Sequence, residues 1–328
     1  MFSLRIYRHK NTGDSVIAAY PVDWIVVVPT VVPLAVKFLR SLLILGRVSN
    51  LPTIWTNVIV GWLVGGGSID SSISWLIGGV SLLYWAGMTL NDAFDVQWDR
   101  SHAPERPIPS GAVSAPTVWV IGILQMIAGV CLILWKTDAR WELLLALVFC
   151  ILLYDWIHKK WKGAVLIMGL CRALVYLLAW SDARSEMKLG ALSPLIYFLG
   201  CGVLLYIAGI TLVARSERKK APGELGALPR MLLLVPTSFP VLVLYCEPGT
   251  MDVSIKHVFG GIITSCVWIV FFRSLLTSGK ISGGIAYAIA GIALYDATVA
   301  ILFDQSAGLL CLACFGLTLL AQRFVPAT

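Results

Sequence analysis

The sequence predicts an all-α bundle that crosses a membrane many times, and three observations carry that prediction. Hydrophobic residues make up 58% of the 328 positions and charged residues 13%, about half the ~25% charged share of an ordinary soluble domain. Mean hydropathy is +0.84. The apolar residues come in runs of near-spanning length, without the alternation of a membrane barrel. Together these exclude a soluble globular protein, a disordered chain and a collagen-like fibre.

The elements follow in order. Residues 1–23 carry Arg5, Arg8, His9 and Lys10, then Asp14 and Asp23, and have no cleavable-signal pattern. The apolar stretch 24–36 contains Pro29 and Pro33 and is 13 residues long, too short for a hydrocarbon core of about 30 Å. It is expected to lie at the interface. Residues 1–41 are therefore an N-terminal arm and 42–328 the membrane domain. Apolar runs then fall at about 52–67, 73–96, 116–135, 141–157, 163–181, 192–214, 230–246, 254–273, 281–303 and 306–322. Lipid cannot satisfy an open backbone, so each is expected to be a helix. That makes ten segments, or nine if the last pair is one span and a half-span.

Basic residues set the orientation. The loops after the second, fourth, sixth and eighth segments carry 12 Lys and Arg, and the opposite loops carry 5. Lys37, Arg40 and Arg47 join the richer side. The N-terminus and these loops are expected to be cytoplasmic, in a plasma membrane of bacterial type. The net charge of +7 is spread over short loops, so it reads as topology and not as a nucleic-acid surface. The eight cysteines read as small apolar residues; Cys311 and Cys314 form a CxxC with no second pair, which makes a metal site there improbable.

The second segment ends in Asn91-Asp92-Ala93-Phe94-Asp95-Val96-Gln97-Trp98-Asp99-Arg100. On one continuous helix Asn91, Asp92, Asp95 and Asp99 share an arc about 100° wide. Like charges crowded beside hydrocarbon need a cation to neutralise them. Carboxylates with an adjacent amide suit Mg²⁺, which prefers oxygen ligands and phosphates. The plainer alternative is a helix end solvated by water and paired with Arg100. Beyond it, His102-Ala103-Pro104-Glu105-Arg106-Pro107-Ile108-Pro109-Ser110-Gly111 is a proline-stiffened loop that displays Arg106, suited either to binding phosphate or to fixing topology.

N-D-x-x-D-x-x-x-D followed by R-P-I-P-S-G resembles the first signature of the UbiA superfamily of intramembrane prenyltransferases. Gly46-Arg47-Val48-Ser49-Asn50-Leu51-Pro52-Thr53, with Asn57, is similar to that family's first-helix motif. Tyr154-Asp155-Trp156-Ile157-His158-Lys159 is similar to its Y-x-x-x-K element, with the Lys one residue later. Gly169-Leu170-Cys171-Arg172-Ala173 is similar to its fifth-helix Arg motif. The resemblance covers residues 42–325. It implies a helical bundle around a central cavity with a cytoplasmic polar cap, and Mg²⁺-dependent transfer from a prenyl diphosphate to a small lipophilic acceptor. It assigns Asp92, Asp95 and Asp99 to the metal and to catalysis. Asn91, Arg47, Asn57, Arg106, Tyr154, Lys159, Arg172, Arg215 and Glu217 are assigned to substrate binding.

One departure stands out. The family's second Asp-rich motif should follow the sixth helix, yet the sequence has no Asp between Asp182 and Asp252. Arg215, Lys219 and Lys220 there could supply the positive charge of a second metal, or merely mark the cytoplasmic side. T-L-V-A-R-S-E at 211–217 and Leu294-Tyr295-Asp296-Ala297 resemble the EboC-like branch, which implies a role beside a metabolite-export operon. Two readings stay open: a prenyltransferase, or a transporter or lipid-binding scaffold that keeps the bundle without catalysis. Arg172 and Asp296 lie inside predicted spans and are expected to face the bundle, Arg172 supporting the cap and Asp296 capping or pairing.

Overall fold

A computed structural model describes residues 34–184, 194–218 and 281–327, with a few positions between 231 and 268. The described residues form ten α-helices and one 3-10 turn. They are α1 (Leu34–Leu45), α2 (Leu51–Val64), α3 (Ile73–Phe94), α4 (Val96–His102), α5 (Ala115–Lys136), α6 (Trp141–Ile157), α7 (Ala164–Ala183), α8 (Pro194–Arg218), α9 (Ile281–Phe303) and α10 (Gln305–Ala321). Five of them are long and apolar enough to cross a membrane: 73–94, 115–136, 164–183, 194–213 and 284–303. Their starts follow local chemistry. Ser114 accepts a hydrogen bond from the Thr117 amide at 3.2 Å with Pro116 in the first turn of α5, and Asp304 caps α10 through the Ala307 amide.

α2 lies at the centre and packs on α3, α7, α9 and α10, while α3 runs along α5 and α7 along α8. α2 and α7 approach closely because Gly61 sits under the Tyr176 carbonyl. A Cβ at Gly61 would come within 2.5 Å of that oxygen, so only glycine fits. Tyr206 and Tyr295 tie α8 to α9, donating to the carbonyls of Ala288 and Leu199 at 2.7 and 3.1 Å. The outer faces are apolar: Val120, Leu124, Ile127 and Phe149 are exposed, as a lipid-facing surface requires. Trp135 and Trp141 stand exposed at helix ends, where an aromatic belt would place them.

The segments expected at 52–67, 73–96, 116–135, 141–157, 163–181 and 192–214 correspond to α2, α3, α5, α6, α7 and α8. The last pair is two helices, because Asp304 breaks the chain between them and caps the second. The segments at 230–246 and 254–273, and the stretch 24–33, lie outside the described residues apart from a few helical positions. α1 has no counterpart among the predicted spans, and it runs across residue 41.

The acidic segment is divided between α3, which ends at Phe94, and α4, which begins at Val96. The helical bonding nevertheless runs through the junction: the Asp95 amide donates to the Asn91 carbonyl at 3.0 Å and the Asp99 amide to the Asp95 carbonyl at 2.9 Å.

Candidate active site

Three pieces of chain meet at one end of the bundle. The first is the turn before α2. Gly46 lies against the Trp85 indole, leaving no room for a Cβ, and Arg47 takes a left-handed backbone at φ 43°. A side chain in that conformation carries a cost of about 1–2 kcal/mol. The strained turn directs Arg47 to Asp92 Oδ1 at 3.6 Å and to Met88 Sδ at 3.6 Å. The second piece is the proline-stiffened loop, whose Arg106 Nη1 reaches Asp99 Oδ2 at 2.8 Å and Asp92 Oδ1 at 3.4 Å. The third is the end of α6. His158 Nε2 and Lys159 Nζ meet Asp95 Oδ2 at 3.1 and 3.0 Å. Lys159 also lies over the Trp98 ring, and Tyr154 stacks on His158.

Asp92, Asp95 and Asp99 are all buried, so their charges depend on these partners. Burial pushes the Asp95 carboxyl up, but the hydrogen bond and charge of His158, with Lys159, outweigh it and hold Asp95 below the usual carboxylate range. Burial works against the charge of Arg106, and Asp92 and Asp99 overcome it and raise that guanidinium. Sequence reasoning missed two residues here, His158 and Asp155. Asp155 is buried and accepts a hydrogen bond from Asn91 Nδ2 at 3.0 Å. A carboxylate inside a predicted span was itself the available signal.

Below this cap lies a cavity of about 300 Å³. Arg47, Asn91, Arg106, Tyr154, Asp155 and Arg172 stand in its wall, and much of the rest is apolar, among it Ile54, Val80, Leu83 and Leu147 with Ile207, Ile210, Ile285 and Ile289. The site therefore has a charged mouth and a greasy interior, the form suited to a ligand with an anionic head and an apolar tail.

Asn57 and Arg172 belong to a second polar cluster. Arg172 donates to the Thr53 carbonyl at 3.0 Å, to Thr53 Oγ1 at 3.0 Å and to Asn57 Oδ1 at 2.7 Å, and it lies over the Tyr84 ring. Asn57 Nδ2 donates to Asp296 Oδ2 at 2.7 Å and to the Tyr176 hydroxyl at 2.9 Å, and Tyr176 donates to Asp296. Arg172 thus braces α7 against α2, and no bond joins it to the cap carboxylates. Asp296 accepts from Asn57, Tyr176 and Thr56, and the Asn57 amide links it to Arg172. The side chains of Arg215 and Glu217, in the last turns of α8, lie outside the described residues.

Mg²⁺ is the group to test against these residues. The donors are hard carboxylate oxygens beside phosphate-binding basic groups, which fits the ion's chemistry. The carboxylates are at present shared out among Arg47, Arg106, His158 and Lys159. Among the described residues, no three His, Cys, Asp or Glu side chains converge as a ready-made metal site. Asp92, Asp95 and Asp99 would hold the ion, with the cations drawn off by an anionic ligand.

Comparison with known proteins bears on the family and the fold. The chain is similar to digeranylgeranylglyceryl phosphate synthase of Pyrococcus horikoshii, at 35% identity over 22% of this chain and 26% of that one. It is also similar to the synthase of the same name from Methanocaldococcus jannaschii, at 28% identity over 58% of this chain and 66% of that one. It thus spans between about a quarter and two thirds of the length of these curated relatives. A UbiA homologue from Aeropyrum pernix K1 shares the fold at TM-score 0.58 and 18% identity, over 78% of this chain and 97% of that one. A structure from a study of digeranylgeranylglyceryl phosphate synthase in membranes does so at TM-score 0.56 and 20% identity, over 83% and 99%. The model of the UbiA prenyltransferase family matches residues 50–222, which is more than half of the sequence and takes in α2 to α8 with the acidic segment, and the chain belongs to that family.

Proposed function

We propose that this protein transfers an isoprenoid group from a Mg²⁺-bound prenyl diphosphate to a small lipophilic acceptor in the cavity. The observation that carries the reading is the junction of a buried, ion-paired cap with an apolar cavity. A prenyl diphosphate has the matching polarity, with two phosphates on a hydrocarbon chain. When bound, Mg²⁺ neutralises charge on the diphosphate as the allylic C–O bond breaks.

The chain's own residues do the rest. Arg47, Arg106 and Lys159 exchange their carboxylate partners for phosphate oxygens, and the freed Asp92, Asp95 and Asp99 turn to the cation. The 3.4 and 3.6 Å contacts to Asp92 are longer than a good charge-assisted hydrogen bond, so freeing Asp92 gives up less than freeing Asp99 or Asp95, whose pairs lie at 2.8 and 3.0 Å. Tyr154, in the cavity wall, donates its hydroxyl to the diphosphate. Ile54, Leu83 and Leu147 exclude water from the allylic carbon, which protects a carbocation from hydrolysis.

The names of the relatives point to a lipid-linked acceptor. The sequence features of the EboC-like branch point instead to maturation or export of a secondary metabolite, with Arg215 and its lysine neighbours in place of the second Asp-rich motif. Both are finer proposals within the same reaction class. The cap would face the cytoplasm. A membrane-impermeant thiol reagent should then fail to modify Cys introduced at Ser101 in intact cells, and modification from outside reverses the orientation.

A second reading has one observation in its favour. The described α8 wall of the cavity presents Ile207, Ile210 and Thr211 and no carboxylate, so a non-catalytic transporter or binding scaffold is the rival. Purified protein incubated with Mg²⁺ and prenyl diphosphates of several lengths separates the two. Diphosphate release that disappears in Asp92→Ala supports transfer. Tight binding of every diphosphate with no release from any of them leaves the scaffold.

A further inference from the structure

Asp155 carries a feature that the cap described above does not use. Its residue is 4% exposed and it stands in the cavity wall. One carboxylate oxygen, Oδ1, accepts from Asn91. The other, Oδ2, is out of reach of solvent and has no hydrogen-bond partner. Protonation would not cure this, because a hydroxyl at Oδ2 would be a donor with nothing to receive it. Buried carboxylate oxygens are normally satisfied, so an unmatched one beside a cavity calls for a ligand that arrives through the cavity.

Its surroundings decide what kind of ligand. Asp92, Asp95 and Asp99 take up Arg47, Arg106, His158 and Lys159, and none of these ion pairs includes Asp155. An oxygen with no donor in reach, at the edge of a carboxylate cluster, suits a hard divalent cation, which would satisfy Oδ2 without needing a hydrogen-bond donor. The α8 wall, from Ile207 to Thr211, presents no carboxylate. The Asp ligands that the sequence lacks between Asp182 and Asp252 can be replaced from α6.

We infer that Asp155, held by Asn91, is a divalent-cation ligand on the α6 wall of the cavity, additional to Asp92, Asp95 and Asp99. The inference rests on reading the cap as a diphosphate and cation site. Asn91 then has a positioning role: its amide fixes Oδ1 so that Oδ2 keeps its orientation.

The test is Mn²⁺ binding to the full-length protein in detergent, with inorganic pyrophosphate, followed by electron paramagnetic resonance and by melting temperature. Asp155→Asn preserves size and removes the anionic oxygen. It should weaken Mn²⁺ at least tenfold, while the metal-free melting temperature stays near the parent's. Asp155→Glu should regain part of the affinity, and Asp155→Ser should behave like Asp155→Asn. Unchanged Mn²⁺ affinity in Asp155→Asn, or in Asp155→Ser if the first variant fails to fold, overturns the inference. A lower metal-free melting temperature with unchanged affinity makes Asp155 structural, and also overturns it. If the parent binds Mn²⁺ but releases no diphosphate from prenyl diphosphates, the transferase reading falls and the Asp155 ligand stands. If the parent binds no Mn²⁺ with pyrophosphate, both fall.

Discussion

At the cap, Asp92 divides one oxygen between Arg47 at 3.6 Å and Arg106 at 3.4 Å. Between α2, α7 and α9, Asp296 takes Asn57 at 2.7 Å and the Tyr176 hydroxyl, while Arg172 spends three hydrogen bonds on Thr53 and Asn57. Both clusters put carboxylates and a guanidinium inside an apolar bundle. They differ in how completely their members are satisfied. The inner cluster is closed by short bonds to neutral groups that have no reason to leave. At the cap Asp95 and Asp99 also have close partners, but Asp92 is held only by two longer, shared contacts, and Asp155 Oδ2 beside it has no partner. A closed polar cluster fixes helices relative to one another, whereas an under-satisfied one at a cavity has capacity left for a ligand.

The comparison can be broken first at the inner cluster, where the expected effect is largest. Asp296→Ala removes the anion that balances Arg172 and should destabilise the bundle by about 3–5 kcal/mol, the range for taking one member from a buried ionic set. Denaturant unfolding in detergent measures it. A loss of activity with intact stability would move this cluster into the chemistry. Next comes Asp92→Asn at the cap. Diphosphate release should fall about 10²–10³-fold, or about 2.7–4 kcal/mol of transition-state stabilisation, as for removing one electrostatic contact at a reacting centre. Its melting temperature should stay near the parent's, and a large drop would mean that the cap pairs are structural after all.

Lys159→Met keeps the apolar stem over Trp98 and removes the ammonium. Affinity for pyrophosphate with Mg²⁺ should weaken by about 1.5–3 kcal/mol, the range for a hydrogen bond to a charged group, as read by titration calorimetry. Unchanged affinity would assign Lys159 to holding Asp95 alone. The smallest effect is in pH. Asp95 has its folded value held below the unfolded one of about 3.9. Its pairing with His158 and Lys159 therefore contributes stability above that pH and loses it as pH falls through the lower folded value. The melting temperatures of the parent and Asp95→Asn should differ at pH 7 and converge towards pH 3. A constant difference would detach Asp95 from its partners' charge.

Much of this was legible in the sequence, and for identifiable reasons. Hydrophobic runs located α2, α3 and α5 to α8 within a few residues, because lipid leaves the backbone no alternative to helix. The acidic stripe and the R-P-I-P-S-G loop singled out Asp92, Asp95, Asp99 and Arg106, because charge beside hydrocarbon is too unfavourable to be incidental. Local periodicity could not say that α3 ends at Phe94. Nor could it say that Asp95 meets His158 and Lys159, residues 63 and 64 positions away.

The sequence by itself determined the class of protein, the order of its helices and the identity of its charged groups, since each follows from how an isolated stretch of chain partitions between water and lipid. Only the tertiary structure decided which charges meet. Arg172, expected to support the cap, bonds α2 through Asn57 and Thr53 and also stands in the cavity wall. Asp155 stands in the motif at 154–159 without an assigned role, and the packing of α6 beside α3 sets it against Asn91 in the cavity wall. Pairing depends on how helices far apart in sequence are rotated and set against one another. That rotation is fixed by contacts such as Gly61 beneath the Tyr176 carbonyl, and no single helix contains them.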